Sequence, residues 1–405
     1  MKLRSDDPLW LDLATSDLAC EPPSQNLHCD VLIVGSGITG ALIAHELVST
    51  GMDVVVVDKR PIARGSTAAS TALLLYELDS SLTELSRLRG VPDAQAAYRC
   101  TYQALLDLRE LVQDLDLPCD FAERPSLYLA RAADDVPALR AEAQARREIG
   151  IDAELLDQRR LQQEFGINRP AAILSSRAME IDPLKFTRAL WRRSIAAGAR
   201  VFGQTPLADR RWKSASPSVK TATGHTIDCE HVVFATGYEA PEMFPELFDL
   251  CTLTATFALA TPPVDPSRLW PGRAVMWEMA ERYLYLRTTA DGRVIIGGED
   301  VPFTGELPGA QAIEGATHRL LSQLGDLFPQ LAGATADYAW TGVFASTPDG
   351  LPYIGPIDLV DRCYLALGYG GNGITFSTIA AQVVCDEICG RPNDTARLFS
   401  FSDGR

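Results

Sequence analysis

The 405-residue sequence is poor in positive charge: 37 Lys and Arg stand against 53 Asp and Glu, a formal net charge of −16. Such a chain repels a phosphate backbone rather than condensing on it, which excludes nucleic acid as the expected partner. Lysine is scarcest, confined to Lys2, Lys59, Lys185, Lys213 and Lys220. Cysteine pairs are also lacking, because nine cysteines scatter from Cys20 to Cys389 without a C-x-x-C pair or a His/Cys cluster. That argues against a zinc site or a disulfide framework, and for a reducing compartment; no metal is expected. Cys385 and Cys389 share a helix face, read as core. No run approaches 18 uninterrupted apolar residues, and MKLRSDDPLWLDLATSD lacks the apolar segment of a secretion signal. The expectation is a cytoplasmic protein without a transmembrane segment. There is no internal repeat and no low-complexity tract.

What is present is the composition of a folded protein: 46% hydrophobic, 22% charged, 30 Gly and 25 Pro. The length is roughly two and a half typical domains, so two domains are expected. From Cys29 the chain reads as strand (Val31 to Val34), glycine-rich turn, helix (Ala41 to Thr50) and strand (Val54 to Val57). Apolar strands without alternation imply a parallel sheet covered on both faces. Helical spacing follows over Thr83 to Asp116 and Val136 to Ile149, with a short strand at Ser126 to Ala130. Asp182-Pro183 opens a helix that Gly198 stops. Between Cys251 and Gly298 the pattern alternates, predicting an antiparallel sheet. The chain closes with a strand at Cys363 to Leu367, the loop Gly368 to Gly373 and a helix from Ile374 to Cys389.

Gly35-Ser36-Gly37-Ile38-Thr39-Gly40 matches G-x-G-x-x-G between strand and helix. Gly35 permits the tight turn, Gly37 lets backbone approach a pyrophosphate, Gly40 allows close helix packing, and the helix N-terminus faces the anion. Asp58 ends the next strand, about 20 residues on, placed to accept from a ribose hydroxyl and to repel a 2′-phosphate. The motif fits NAD or FAD. Anchors for a flavin lie elsewhere: Arg64-Gly65-Ser66-Thr67-Ala68-Ala69-Ser70-Thr71, dense in small and hydroxyl side chains, and the Gly368 to Gly373 loop, which offers a second helix N-terminus to the electron-rich end of a reduced flavin.

With these pieces the chain resembles the FAD-dependent oxidoreductases of the D-amino-acid oxidase, glycine oxidase and sarcosine oxidase family. Ile181-Asp182-Pro183, Ala235-Thr236-Gly237, RVIIGGED (Arg293 to Asp300), WTGVFASTPDGLPYIGP (Trp340 to Pro356) and GYGGNGIT (Gly368 to Thr375) carry the resemblance over nearly the whole sequence. It implies an α/β fold: a Rossmann-like FAD-binding domain assembled from residues 1–94, 179–251 and 336–405, and an α+β substrate domain from residues 95–178 and 252–335 built on an antiparallel sheet. It assigns to the cofactor Gly35, Gly37, Ile38, Thr39, Gly40, Asp58, Lys59, Arg60, Arg64, Gly65, Ser66, Thr67, Ser70, Thr71, Ala235, Thr236, Gly237, Gly342, Gly370, Gly371, Asn372, Gly373, Ile374 and Thr375.

The implied chemistry is oxidation of a C–N bond, hydride passing to flavin N5 to give an imine that water hydrolyses, with oxygen or another acceptor taking the electrons. None of His28, His45, His225, His231 and His318 falls in a motif facing the flavin. The chain departs from the family at its carboxylate anchors: Phe344 stands where amino-acid oxidising members carry Arg, and Ala72 and Leu75 where sarcosine-oxidase-like members place arginines. Gly342 and Ala69 occupy the positions of covalent flavin attachment, so FAD is expected to bind noncovalently. No lysine lies in the antiparallel strands to activate oxygen, which leaves oxidase and dehydrogenase both open. The Trp277 to Arg287 stretch resembles members that act on amines. An amine or amino acid is therefore the expected small-molecule substrate. On the strand Arg282 to Arg287, Leu284 and Leu286 face a core, while Tyr283, Tyr285 and Arg287 share the other face. Tyr285, Arg287 and Phe344 are the candidate substrate residues, the alternative being a solvated face of aromatic pairs. Two rival readings stand beside the enzyme: an FAD-binding assembly or regulatory protein, and an NAD-dependent dehydrogenase.

Overall fold

Val54–Val57, four valines in succession, and the run Val31 to Val34 have no polar face to turn to solvent, so both become strands buried on two sides. The computed structural model describes residues 1–5, 8–13, 18–209, 217–279 and 283–401. The first sheet has the spatial order Tyr353–Pro356, Cys363–Leu367, Thr226–Phe234, Leu27–Val34, Val54–Val57, Arg200–Phe202. It is parallel from Cys363–Leu367 onward, and only Tyr353–Pro356 joins antiparallel along this path. The helix Ile38–Ser49 packs against both Pro183–Ala196 and Gly373–Ile388. Pro183–Ala196 starts as expected, with the Asp182 carboxylate accepting from Leu184 N and Lys185 N at 2.9 Å each.

The second sheet runs Tyr338–Ser346, Thr252–Ala260, Val294–Pro302, Tyr285–Thr288, Val275–Met279, Ala122–Ala130, Ala171–Glu180, Leu73–Leu75. The expected antiparallel pairing holds between its consecutive strands except at Val275–Met279, which runs parallel to Ala122–Ala130. Leu73–Leu75 and Tyr338–Ser346 belong to this sheet, although the sequence groups their segments with the dinucleotide-binding unit. Short strands take their partners from whatever lies alongside in space, and periodicity does not show that. One face of the sheet buries Phe257, Leu259, Leu284, Leu286 and Ile296 with Leu320 and Leu324 of the helix Ala310–Leu327, as the alternation requires.

The helical spacing over Thr83 to Asp116 folds as two helices, Leu82–Arg89 and Val91–Asp114. Gly90 separates them at φ +83°, a conformation open to glycine and closed to a continuing helix. Among the described residues, no helix is long and apolar enough to cross a membrane.

Candidate functional site

Two cavities adjoin one another beside the glycine-rich turn. The larger, about 300 Å³, follows the glycine-rich turn and is lined by Gly35, Gly37, Ile38, Thr39, Asp58, Lys59, Arg60, Gly65, Thr67, Ala235, Thr236 and Gly237. The smaller, about 160 Å³, is lined by Thr71, Leu75, Glu77, Asp79, Thr256, Trp277, Tyr283, Tyr285, Trp340, Gly342, Phe344, Gly370, Gly371 and Asn372. Ser66, Ser70, Tyr238, Gly373 and Ile374 line both, so the cavities join there.

The larger cavity is built as the motif demands. Gly35 sits at φ +114°, and a Cβ there would stand 2.4 Å from the carbonyl oxygen of Ala235. Gly40 lines neither cavity; its Cβ would meet Gly35 O at 2.0 Å, so its role is the close packing expected of it. The Asp58 carboxylate accepts from Ser36 N and Ser36 Oγ at 2.7 Å and from Arg60 N at 2.8 Å. Glu239, which the motif reading missed, accepts from Lys59 Nζ at 2.8 Å and from both terminal nitrogens of Arg60. Burial pushes the Glu239 carboxyl up, but these donors outweigh it and hold the group below its ordinary value.

A flavin dinucleotide fits this wall. Backbone is bare at Gly35 and Gly37, the helix Ile38–Ser49 points its N-terminus at the cleft, and the Thr236 hydroxyl on the wall is buried without a hydrogen-bond partner. At the junction stand the turn Ser66–Ala69 and the N-terminus of Gly373–Ile388. Gly370 and Gly371 pass under Asp79, whose carboxylate accepts from Gly371 N at 2.8 Å; a Cβ at Gly370 would lie 2.2 Å from Asp79 Oδ2. Asn372 anchors this loop by donating to the carbonyls of Glu77 at 2.7 Å and Leu75 at 3.3 Å. Besides Gly40, two residues assigned to the cofactor line neither cavity: Thr375, whose hydroxyl donates to Leu75 O, and Arg64.

The smaller cavity departs from expectation at Arg287. Tyr285 and Phe344 line it, but Arg287 does not. Two residues beyond Tyr285 on the same face, the Arg287 guanidinium is buried, donates to Ile181 O at 2.8 Å, lies 3.9 Å from Glu180 and covers the Trp10 ring at 5.2 Å. Burial pushes it down to about 10. It is a structural arginine: the shared face extends past the cavity edge, and strand alternation cannot show where the edge falls. Nor is the face a solvated one, since Arg287 is 1% exposed. Arg282 lies outside the described residues.

No Lys, Arg or His is among the described residues lining this cavity; the ionisable groups among them are Glu77, Asp79 and the phenols Tyr238, Tyr283 and Tyr285. Burial raises both carboxyls and all three phenols, so the phenols stay protonated. Glu77 and Asp79 escaped the sequence reading. Their signal was the alternation Tyr76-Glu77-Leu78-Asp79, two acids on one side directly after an apolar run.

A family model described as FAD dependent oxidoreductase matches residues 30–387. The chain is 25% identical over 387 residues to gamma-glutamylputrescine oxidoreductase of Escherichia coli, covering 94% of this chain and 87% of that protein. It is 25% identical over 388 residues to a glycine oxidase of Bacillus licheniformis, covering 93% and 97%. In fold it resembles the glycine oxidase of Geobacillus kaustophilus, with a TM-score of 0.80 at 22% identity over 94% of this chain and all of the other.

Proposed function

Since the chain belongs to the FAD-dependent oxidoreductase family, we propose that this oxidoreductase acts on the C–N bond of an amine that carries no carboxylate beside the reacting carbon. The observation that supports this is the lining of the smaller cavity: Phe344 and aromatic rings where a carboxylate would need a guanidinium, and no basic side chain among the described residues that line it. Both named relatives act on nitrogen compounds, one on a substrate named as a putrescine derivative.

When bound, FAD supplies a hydride acceptor. The larger cavity would hold its dinucleotide part through Asp58, the Ile38–Ser49 N-terminus and the Ser66–Ala69 turn, and the Gly370–Ile374 loop would border the flavin end. Gly342 and Ala69 line the smaller cavity and neither has a nucleophile; a Cβ on Gly342 would lie 3.4 Å from that of Ala69. The chain therefore offers no covalent link there, and acid precipitation should leave intact FAD in the supernatant. Phe344, Trp277 and Trp340 give the substrate an apolar wall that excludes water from the reacting carbon. The amine enters neutral, since loss of hydride from the carbon needs the nitrogen lone pair. The carbon loses a hydride and the nitrogen a proton; water then converts the imine to carbonyl and ammonia or a smaller amine.

Anaerobic mixing with candidate substrates tests this. Simple alkylamines should bleach the flavin, with glycine and D-alanine roughly tenfold slower or worse at equal concentration. Bleaching by glycine or D-alanine as fast as by amines, or by no amine at all, refutes the reading.

A further inference from the structure

We propose that the smaller cavity selects substrates bearing a second, cationic nitrogen, α,ω-diamines or their close relatives, whose distal ammonium is held by Glu77 and Asp79. The inference rests on the amine reading above and adds which amine.

Glu77 is 2% exposed, and its two oxygens differ. Oε1 accepts from Ser126 Oγ at 2.6 Å and lies 3.5 Å from Arg146 Nη1. Oε2 is buried with no hydrogen-bond partner, on a residue that lines the cavity. A buried carboxylate oxygen without a donor is costly, and native structures retain one where something else completes it.

Arg146 does not complete it. Its guanidinium donates to Glu142 at 2.8 Å, and Glu142 also accepts from Leu82 N and Thr83 N at 2.9 Å. One guanidinium thus stands between two buried carboxylates, and the better hydrogen-bonded partner is Glu142 rather than Glu77. When both are ionised, the cluster carries one negative charge in excess on the side facing the cavity. Asp79 adds a second carboxylate on the same lining, with Gly371 N as its hydrogen-bond donor.

An ammonium group answers both deficits. It brings one positive charge and three N–H donors, enough for Glu77 Oε2 and a free lone pair of Asp79. Trp277 and Tyr283, on the same lining, add aromatic rings of the kind that attract a cation. A carboxylate-bearing substrate would instead add negative charge to a buried acidic wall. The chemistry at the other end is unchanged: the neutral amine gives up a hydride from carbon and a proton from nitrogen, both taken up as the flavin passes to its reduced form, and the distal ammonium takes no part.

Binding can be read without turnover on anaerobic enzyme reduced beforehand with dithionite, which has no oxidised flavin to receive a hydride. Titration calorimetry with 1,4-diaminobutane and 1-aminobutane should give a dissociation constant at least about tenfold lower for the diamine. Glu77→Gln and Asp79→Asn should each bring the ratio of the two constants toward one; Asp79→Asn serves alone should the buried cluster around Glu77 fail to fold when altered. Equal constants in the unaltered enzyme, or a ratio unchanged in folded variants, overturn the proposal. If both amines bleach the oxidised flavin yet bind equally, this inference fails and the amine reading stands. If neither bleaches nor binds, both fail.

Discussion

The two cavities share a border but are finished differently. Around the larger one the charged groups already have partners: Asp58 has three donors, and Glu239 is neutralised by Lys59 and Arg60. What it leaves open is bare backbone, the neutral Thr236 hydroxyl and a helix N-terminus, suited to an invariant ligand recognised by shape and phosphate charge. Around the smaller one, charge is left over. Glu77 Oε2 and Trp277 Nε1 are buried without hydrogen-bond partners, and Asp300, beyond the lining, is pushed up to about 6 by burial with its Oδ1 unpartnered. A cofactor site can be complete before its ligand arrives. A substrate site gains selectivity by staying incomplete, since the ligand that supplies the missing donors is favoured over others.

The contrast breaks most visibly at Gly35. Gly35→Ala places a methyl 2.4 Å from the Ala235 carbonyl, in a backbone conformation that L-residues avoid. The variant should purify without flavin, read from the flavin-to-protein absorbance ratio; normal flavin content would mean that the turn tolerates a side chain and that the cradle is misjudged.

Arg287→Ala tests the border of the smaller cavity from outside. Removing a buried guanidinium strands the Ile181 carbonyl, while Glu180 keeps its 2.7 Å pair with Arg124, so stability should fall by about 1–3 kcal/mol in denaturant unfolding. KM for an amine should move less than about twofold. A tenfold rise in KM with stability intact would return Arg287 to the substrate.

Asp58→Ala probes the self-satisfied cavity. It removes a charge-assisted acceptor worth about 1.5–3 kcal/mol, so the FAD dissociation constant should rise roughly 10- to 100-fold. An unchanged constant would take Asp58 out of the cofactor site.

The smallest effect is expected at Asp300. Its folded pKa is about 6 against an ordinary value of 3.8, so the folded state favours the protonated form. The associated stability is present below about pH 4 and is lost as pH rises through 6. Asp300→Asn should therefore gain about 1–2 kcal/mol over the parent at pH 8 and almost nothing at pH 4, measured by urea unfolding at both. Equal differences at the two pH values would mean that Asp300 titrates normally.

Most of the larger cavity was legible in the chain, because it is made locally: strand, turn, helix and strand follow one another, and glycine spacing reports backbone geometry directly. Asp58, the Ser66–Ala69 turn and the Gly370–Ile374 loop were readable for the same reason, and Phe344 stood out as an apolar residue where a guanidinium was expected. The Leu284 and Leu286 core face followed from period-two alternation, which local sequence also encodes.

Tertiary structure alone decided the rest. Glu77 acquires its character from Ser126, 49 positions away, and from Arg146, 69 positions away and already engaged by Glu142. Arg287 shares a strand face with Tyr285 but ends against Trp10 and Ile181, because the cavity stops between them. Alternation sets which face a side chain takes, while burial and charge balance depend on what other segments bring to that face. The dinucleotide cleft is therefore written in the sequence, and the acidic lining of the smaller cavity exists only once distant segments meet.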